Sequence, residues 1–220
     1  AASGINSTEL AAGVTVRVDL TGTAAVSGDK VEMLLGGVAF STPATQTLTG
    51  TDITNNYVDI LIPSSAGWGI DGSKSLSARV TDIAGNIGTA GAGFSLTLDT
   101  TAPTGPASPL TVAANGGGGI TAGEKLAGVG VDIDLTGTNA VAGDIVEVLL
   151  AGSSFSTPVT HVITGGEVVA KLASVTIASG AGWGADGSKT LTAKISDAAG
   201  NASSATGSVS VTILDTTAPT

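Results

Sequence analysis

Cysteine is absent from the chain, which removes disulfide scaffolds, thiolate metal sites and cysteine nucleophiles together. Histidine occurs once, as His161, so no multi-histidine metal site can form. Aromatic residues make up only 3%, and any core must be built from Val, Ile, Leu and Ala, which bury less area per side chain. Charged residues are also few, at 12%, but their balance is uneven: 18 acidic against 8 basic residues give −10 over 220 positions. The basic residues are scattered singly, so no cluster exists to grip a phosphate backbone and nucleic acid is not an expected partner. No run of about 18 apolar residues is present, so membrane insertion is not expected either. An enzyme is not expected, because no nucleophile sits beside a candidate base and a lone, unrepeated His cannot complete a triad. Without an initiator Met or a signal peptide, and closing on Thr-Ala-Pro-Thr, the sequence reads as a piece of a longer chain whose export signal lies elsewhere.

What is present favours strands. Gly at 33 residues, with abundant Val, Thr and Ser, disfavours helices and suits short strands joined by tight turns. The chain is also one unit written twice. DLTGT recurs at Asp19 and Asp134, FSTP at Phe40 and Phe155, GWG at Gly67 and Gly182, and DGSK at Asp71 and Asp186. Each offset is 115 positions. LDTTAPT recurs at Leu98 and Leu214, an offset of 116, so the second copy holds one extra residue after Asn201. The expected domains are 1–104 and 105–220, each the size of an independent β-sandwich.

Alternation places the strands within each copy. Val14, Val16, Val18 and Leu20 face one way and Thr15, Arg17 and Asp19 the other, and Val129, Val131, Ile133 and Leu135 repeat the pattern. Further strands are expected at 31–35, 45–48, 58–62, 76–80 and 94–98, with a short first strand at 5–10. Seven antiparallel strands per copy predict two tandem immunoglobulin-like β-sandwich domains, all-β throughout. The extra residue of the second copy is expected to form a β-bulge in its last strand. Trp68 and Trp183 are expected to close the open ends of the two cores, each with its N–H on a carbonyl. His161 is expected on the surface of a strand.

The acids recur by position. Seven pairs are apparent: Glu9 with Glu124, Asp19 with Asp134, Asp29 with Asp144, Glu32 with Glu147, Asp71 with Asp186, Asp82 with Asp197 and Asp99 with Asp215. Of the bases only Lys74 with Lys189 and Arg79 with Lys194 recur, and Asp52 is read as having no acidic counterpart. Solubility needs negative charge but not at fixed places. Strand direction sorts these acids to the poles of each sandwich, with Glu32 and Glu147 left on a solvated sheet face. Glu9, Asp71 and Asp99 fall at the carboxyl-terminal pole of the first repeat; Asp144, Asp197 and Asn201, near Asp134, fall at the amino-terminal pole of the second. The same sorting leaves half-sites of Asp29, Asp82 and Asn86 at one outer end and of Glu124, Asp186 and Asp215 at the other. Acidic caps meeting at a junction would repel unless cations joined them, and oxygen ligands without His or Cys point to Ca2+. Turn formation alone would also place Asp in these loops.

The strings INSTELAAGV at Ile5, ITAGEKLAGV at Ile120, SDAAGN at Ser196 and the LDTTAPT endings resemble the immunoglobulin-like repeats of large calcium-dependent RTX-type bacterial adhesins. The resemblance covers the chain twice. It implies a structural extender, stacked with neighbouring repeats of the same chain between a cell-surface anchor and distal ligand-binding domains in biofilm adhesion. It implies a place at the bacterial surface, outside the cell, with Ca2+ stiffening the interdomain linkers. The recurrent acids at opposite poles predict a monomeric rod of two domains end to end. Cadherins follow a similar plan, but their DRE and DxNDNAP strings are missing here. Gly116 to Gly119 reads as a flexible stretch of linker. The alternative is a carbohydrate- or protein-binding module, whose best site would be the most divergent stretch, TDITNNY at Thr51 against GEVVAKL at Gly166.

Overall fold

The structure is a computed structural model that describes residues 4–113 and 119–215. The chain divides into two units, residues 1–101 and 102–220. The division falls three residues ahead of the expected 104/105, because the Thr104 N–H donates to the Thr138 carbonyl (2.8 Å) and ties this segment to the second unit.

In unit 1, helix α1 (Ser7–Ala12) precedes strands β1 (Val14–Asp19), β2 (Lys30–Leu35), β3 (Val38–Ala39) and β4 (Thr45–Thr47). Helix α2 (Gly50–Asn55), β5 (Tyr57–Ile62), β6 (Gly72–Thr81) and β7 (Phe94–Leu98) follow. One sheet pairs β1 with β5; the other runs β3-β2-β6-β7, with β4 also on β2. Unit 2 repeats the plan with β8 (Thr111–Val112), β9 (Ile120–Thr121), α3 (Ala122–Ala127), β10 (Val129–Asp134) and β11 (Ile145–Leu150). It continues with β12 (Ser153–Val162), α4 (Gly165–Ala170), β13 (Leu172–Ile177), β14 (Gly187–Ser196) and β15 (Thr206–Asp215). Its sheets run β13-β10-β8 and β12-β11-β14-β15-β9. Antiparallel ladders over a shared apolar interior make each unit a β-sandwich, as the alternation predicts.

The core of unit 1 gathers Val31, Met33, Ile60, Ile62, Trp68 and Leu76 from both sheets, and unit 2 places Val146, Val148, Val175, Ile177, Trp183 and Leu191 at the same offset. Each Trp packs edge-on to a Phe, with ring centroids 5.3 Å apart for Phe40 and Trp68 and 5.4 Å for Phe155 and Trp183. The glycine of GWG is required. Gly182 holds φ +98°, and a Cβ there would collide with the Ser156 hydroxyl.

The extra residue of the second copy is accommodated where the alternation placed it. Lys189 faces Val211 but Gly187 faces Leu214, so β15 takes a bulge between them, whereas β6 and β7 pair from Gly72–Leu98 to Leu76–Phe94 without a shift. The expected strand at 5–10 is not one. Ile5 alone bridges Leu98, in parallel, and the chain then turns into α1 because Asn6 and Glu9 form a reciprocal capping box. The stretch read as a variable loop at Gly50 is helix α2, and its counterpart is helix α4.

Gly116 to Gly118 lie outside the described residues; Gly119, at φ +100°, leads directly into β9. Gly119 therefore belongs to unit 2 and not to a linker between the two units.

Candidate functional site

Most of the acids singled out by recurrence have a hydrogen-bonding partner close by in their own unit. At the carboxyl-terminal pole of unit 1, Glu9 is the third residue of α1: it accepts the Asn6 N–H at 3.0 Å while its own N–H donates to Asn6 Oδ1 at 2.9 Å. Asp71 accepts the Thr100 N–H (2.9 Å), the Thr100 hydroxyl (2.8 Å) and the Thr101 hydroxyl (2.8 Å). These bonds, the Thr100 N–H first, hold its carboxyl below the usual carboxylate range. The DGSK turn is thereby tied to the Asp-Thr-Thr that follows β7. Asp99 accepts the Thr101 N–H at 3.3 Å. At the equivalent pole of unit 2, Glu124 accepts the Thr121 N–H (2.8 Å) and hydroxyl (2.9 Å) as the acid of another capping box, Asp186 sits in the turn before β14, and Asp215 ends β15.

The opposite poles are built from tight turns. Asp82 and Asn86 close on each other: the Asn86 N–H donates to Oδ1 at 2.8 Å and its side-chain amide to Oδ2 at 2.7 Å. Asp197 and Asn201 repeat the arrangement at 2.9 Å for both bonds. The Asn86 amide, followed by its backbone N–H, lowers the Asp82 carboxyl below its usual range. Asp29 and Asp144 are buried carboxylates, 4% and 2% exposed. Asp29 accepts the N–H of Val26 (2.9 Å) and of Ile83 (3.3 Å), which stitches the loop before β2 to the loop after β6. Asp144 accepts the Val141 N–H at 2.9 Å. Asp19 accepts the Thr21 N–H at 2.8 Å. Asp134 accepts the Thr136 N–H (2.8 Å) and the Ser108 hydroxyl (2.7 Å), and bonds from the Thr136 and Ser108 side chains bring its carboxyl down to about 2.

The other recurrent acids serve the sheets. Glu32 pairs with Arg79 across β2 and β6 at 2.7 Å, and Glu147 with Lys194 across β11 and β14 at 2.9 Å. These side chains are more sheltered than a solvated face, with 16% and 14% of the glutamates exposed. Of the recurrent bases, Arg79 and Lys194 meet recurrent acids, whereas Lys74 and Lys189 donate to the Ile70 and Ala185 carbonyls.

An eighth acid pair escaped the sequence reading. Asp52 stands 115 positions before Glu167, and both are capping-box acids, of α2 on Thr49 and of α4 on Thr164. Four motifs of the form Asn/Thr-x-x-Asp/Glu, at Asn6, Thr49, Thr121 and Thr164, carried that signal in the sequence. His161 lies on a strand as expected but is not idle: its Nε2 meets both Glu167 oxygens at 2.8 and 3.0 Å. His161, and then the Thr164 N–H, bring the Glu167 carboxyl down to about 2. The ninth acid of each copy, Asp59 or Asp132, occupies opposite strands of one cross-strand pair. Arg17 binds Asp59 through two bonds of 2.8 Å, whereas Ser174 donates to Asp132 at 2.5 Å.

Oxygen-only donors suit a hard cation, so the chemistry of these poles fits Ca2+. The geometry within a unit does not close a shell. Among the described residues no three Asp, Glu or His side chains come together in a group that could hold a metal ion, whereas Ca2+ takes about six to eight oxygens. Glu9, Asp71 and Asp99 belong to unit 1 and Asp144, Asp197 and Asn201 to unit 2. Among the described residues no helix is long and apolar enough to cross a membrane.

No family model and no curated relative matches the sequence. Several solved structures are similar. One is a Ca2+-stabilized adhesin with which an Antarctic bacterium reaches out and binds ice: 28% identity, 98% of this chain against 47% of that one, TM-score 0.48. Another is a 1.5-MDa bacterial ice-binding adhesin studied for its retention at the host cell surface: 27% identity, 94% against 59%, TM-score 0.43. A third comprises the fibronectin(III)-like modules of Clostridium thermocellum CbhA: 14% identity, 96% against 89%, TM-score 0.49. The chain spans about half the length of the first and under two thirds of the second. The first two are bacterial adhesins.

Proposed function

We propose that the chain is a structural extender of a large bacterial surface adhesin, working outside the cell, with neighbouring repeats of the same kind as its partners and Ca2+ as its stiffening ion. The observation that carries this reading is the sameness of the two units, down to the stretch that differs most. Thr51–Tyr57 and Gly166–Leu172 share few residues, yet each contributes to the same capped six-residue helix at the same place. A dedicated ligand site breaks such symmetry, and spacing work does not.

The donors proposed for Ca2+ are Glu9, Asp71, Asp99, Asp144, Asp197 and Asn201, with Asp29, Asp82, Asn86, Glu124, Asp186 and Asp215 as the equivalent sets at the other poles. The ion supplies positive charge against a chain of −10 and a shared ligand that cross-links loops otherwise held only by turn bonds. Asp71 is already fixed by Thr100 and Thr101, so it meets a cation with its charge placed and its rotamer set.

Calorimetric titration tests the ion. The parent binds Ca2+, Asp99→Ala weakens binding about tenfold, and Asp59→Ala, whose partner Arg17 lies on a sheet face, leaves it unchanged. Equal binding by all three, or none by the parent, would discard these donors. Retention of a defined sugar on a glycan array by the full chain would instead favour a binding module.

A further inference from the structure

Four of the eight basic residues recur at an offset of 115, namely Lys74 with Lys189 and Arg79 with Lys194, whereas Arg17, Lys30, Lys125 and Lys171 have no basic counterpart. Arg79 and Lys194 are held by glutamates across the sheet. The two lysines are held by the backbone of a loop. Lys74 Nζ donates to the Ile70 carbonyl and Lys189 Nζ to the Ala185 carbonyl, each at 2.5 Å.

Their place in the fold does not ask for charge. Lys74 is the third residue of β6 and stands two positions before Leu76, which is buried in the core, so strand alternation puts Lys74 on the core-facing side at the end of the sandwich. Lys189 stands in the same way before Leu191. A lysine so placed lays its stem along apolar surface and carries its ammonium to a polar partner. In both copies that partner is the carbonyl just ahead of Asp71 or Asp186, four residues back in the turn. The residue bearing it is Ile in one copy and Ala in the other, so the backbone oxygen is what the copies share. A Cβ at Gly69 or Gly184 would stand 3.7 or 3.8 Å from Nζ, so each ammonium lies across its turn. In unit 1 its charge adds to the bonds from Thr100 and Thr101 that hold the Asp71 carboxyl below its usual range.

A backbone carbonyl next to a carboxylate offers two oxygens of the kind that Ca2+ takes, and here a protonated amine already stands on the carbonyl. An ammonium and a divalent ion on adjoining oxygens repel each other. We propose that Lys74 and Lys189 set the Ca2+ affinity of the two carboxyl-terminal poles, each as a tethered ammonium on an oxygen that the ion would otherwise share, released only when the lysine swings aside. This inference rests on the calcium reading given above and adds to it a residue type that a search for ligands passes over. The ammonium supplies part of the counter-charge at each pole while the ion is scarce, and it raises the concentration at which the ion binds.

Calorimetric titration of the full chain with calcium chloride compares the parent with Lys74→Met, which keeps the stem and removes the charge, and with Lys74→Arg, which keeps the charge. The expected result is about tenfold tighter binding by Lys74→Met and parent-like binding by Lys74→Arg. Lys189→Met repeats the measurement in unit 2. Hydrogen exchange in chelator reads the contact without the ion: the amides of residues 69–72 should exchange faster in Lys74→Met than in the parent. A parent that binds Ca2+ and a Lys74→Met variant that binds equally or more weakly overturn the inference and leave the calcium reading standing. Tighter binding by Lys74→Arg as well, or unchanged exchange in Lys74→Met, overturns it too, since charge on the carbonyl would then not be the cause. Binding by Lys74→Met alone supports it, with an ammonium that excludes the ion outright, and binding by none of the variants sinks both readings.

Discussion

Trp68 and Trp183 stand at equivalent positions with different hydrogen bonding. The Trp68 indole N–H donates to the Pro63 carbonyl at 3.2 Å, whereas the buried Trp183 N–H has no partner among the described residues; Ala178 takes the place of Pro63. A hydrogen bond of this kind contributes about 1 kcal/mol, and a buried donor left without one costs about 1 to 3 kcal/mol. Trp68→Phe should therefore destabilise unit 1 by about 1 kcal/mol more than Trp183→Phe destabilises unit 2. Calorimetric unfolding of the two variants checks this, and equal losses would show that the N–H contributes nothing in either unit. That the indoles close the cores was legible from GWG beside strands poor in aromatics. That one N–H would go without was not, because it depends on the path of the chain at residue 178.

At the scale of elements, the strands were legible and the helices were not. Period-two alternation survives over six residues, but a helix of six residues completes under two turns and offers no period to read. The helices announce themselves only at their first residue, where an Asn or Thr is followed three positions on by an acid. The same oversight left Asp52 without its partner Glu167 and made a helix cap look like a variable loop. In α4 the cap has an added member, since His161 on β12 holds the Glu167 carboxylate from the other side. A carboxyl drawn down to about 2 stabilises the folded unit above its ordinary value of 4.5 and loses that contribution as the pH falls from there toward about 2. Unit 2 should accordingly lose stability over that interval, and Glu167→Gln should flatten the loss while costing about 1 kcal/mol at neutral pH, the usual worth of a helix cap. Thermal melts of parent and variant across the acid range, in chelator, measure both effects; an unchanged acid slope would remove Glu167 from the account.

The whole molecule was legible as a repeat, because an offset of 115 held through four separate strings. The segment 104–113 of unit 2 was not, since its strand β8 is two residues long and its Pro, Gly and Ser read as linker. The acids were found where recurrence put them, at turns near the poles, but recurrence alone could not say that turn bonds and helix caps already engage most of them. One ladder has a mechanical meaning. Ile5 pairs with Leu98 in parallel, as Ile120 and Thr121 do with Leu214 and Asp215, so in unit 1 the first described residues and the last strand lie side by side. Tension applied through the two ends pulls these neighbours in opposite directions along their length. Their hydrogen bonds are loaded together in shear and cannot be opened one at a time like a zip. Resistance of unit 1 to stretching then rests on a few bonds at the mouth of its sandwich and is set by the rate at which they give way. Ile5→Pro removes the 2.8 Å bond from the Ile5 N–H to the Thr97 carbonyl. In single-molecule pulling it should make unit 1 yield at lower force while unit 2 holds, and equal forces before and after would place the resistance elsewhere. Among the described residues every sheet lies within a single unit, so each unit meets a pull with its own ladders alone.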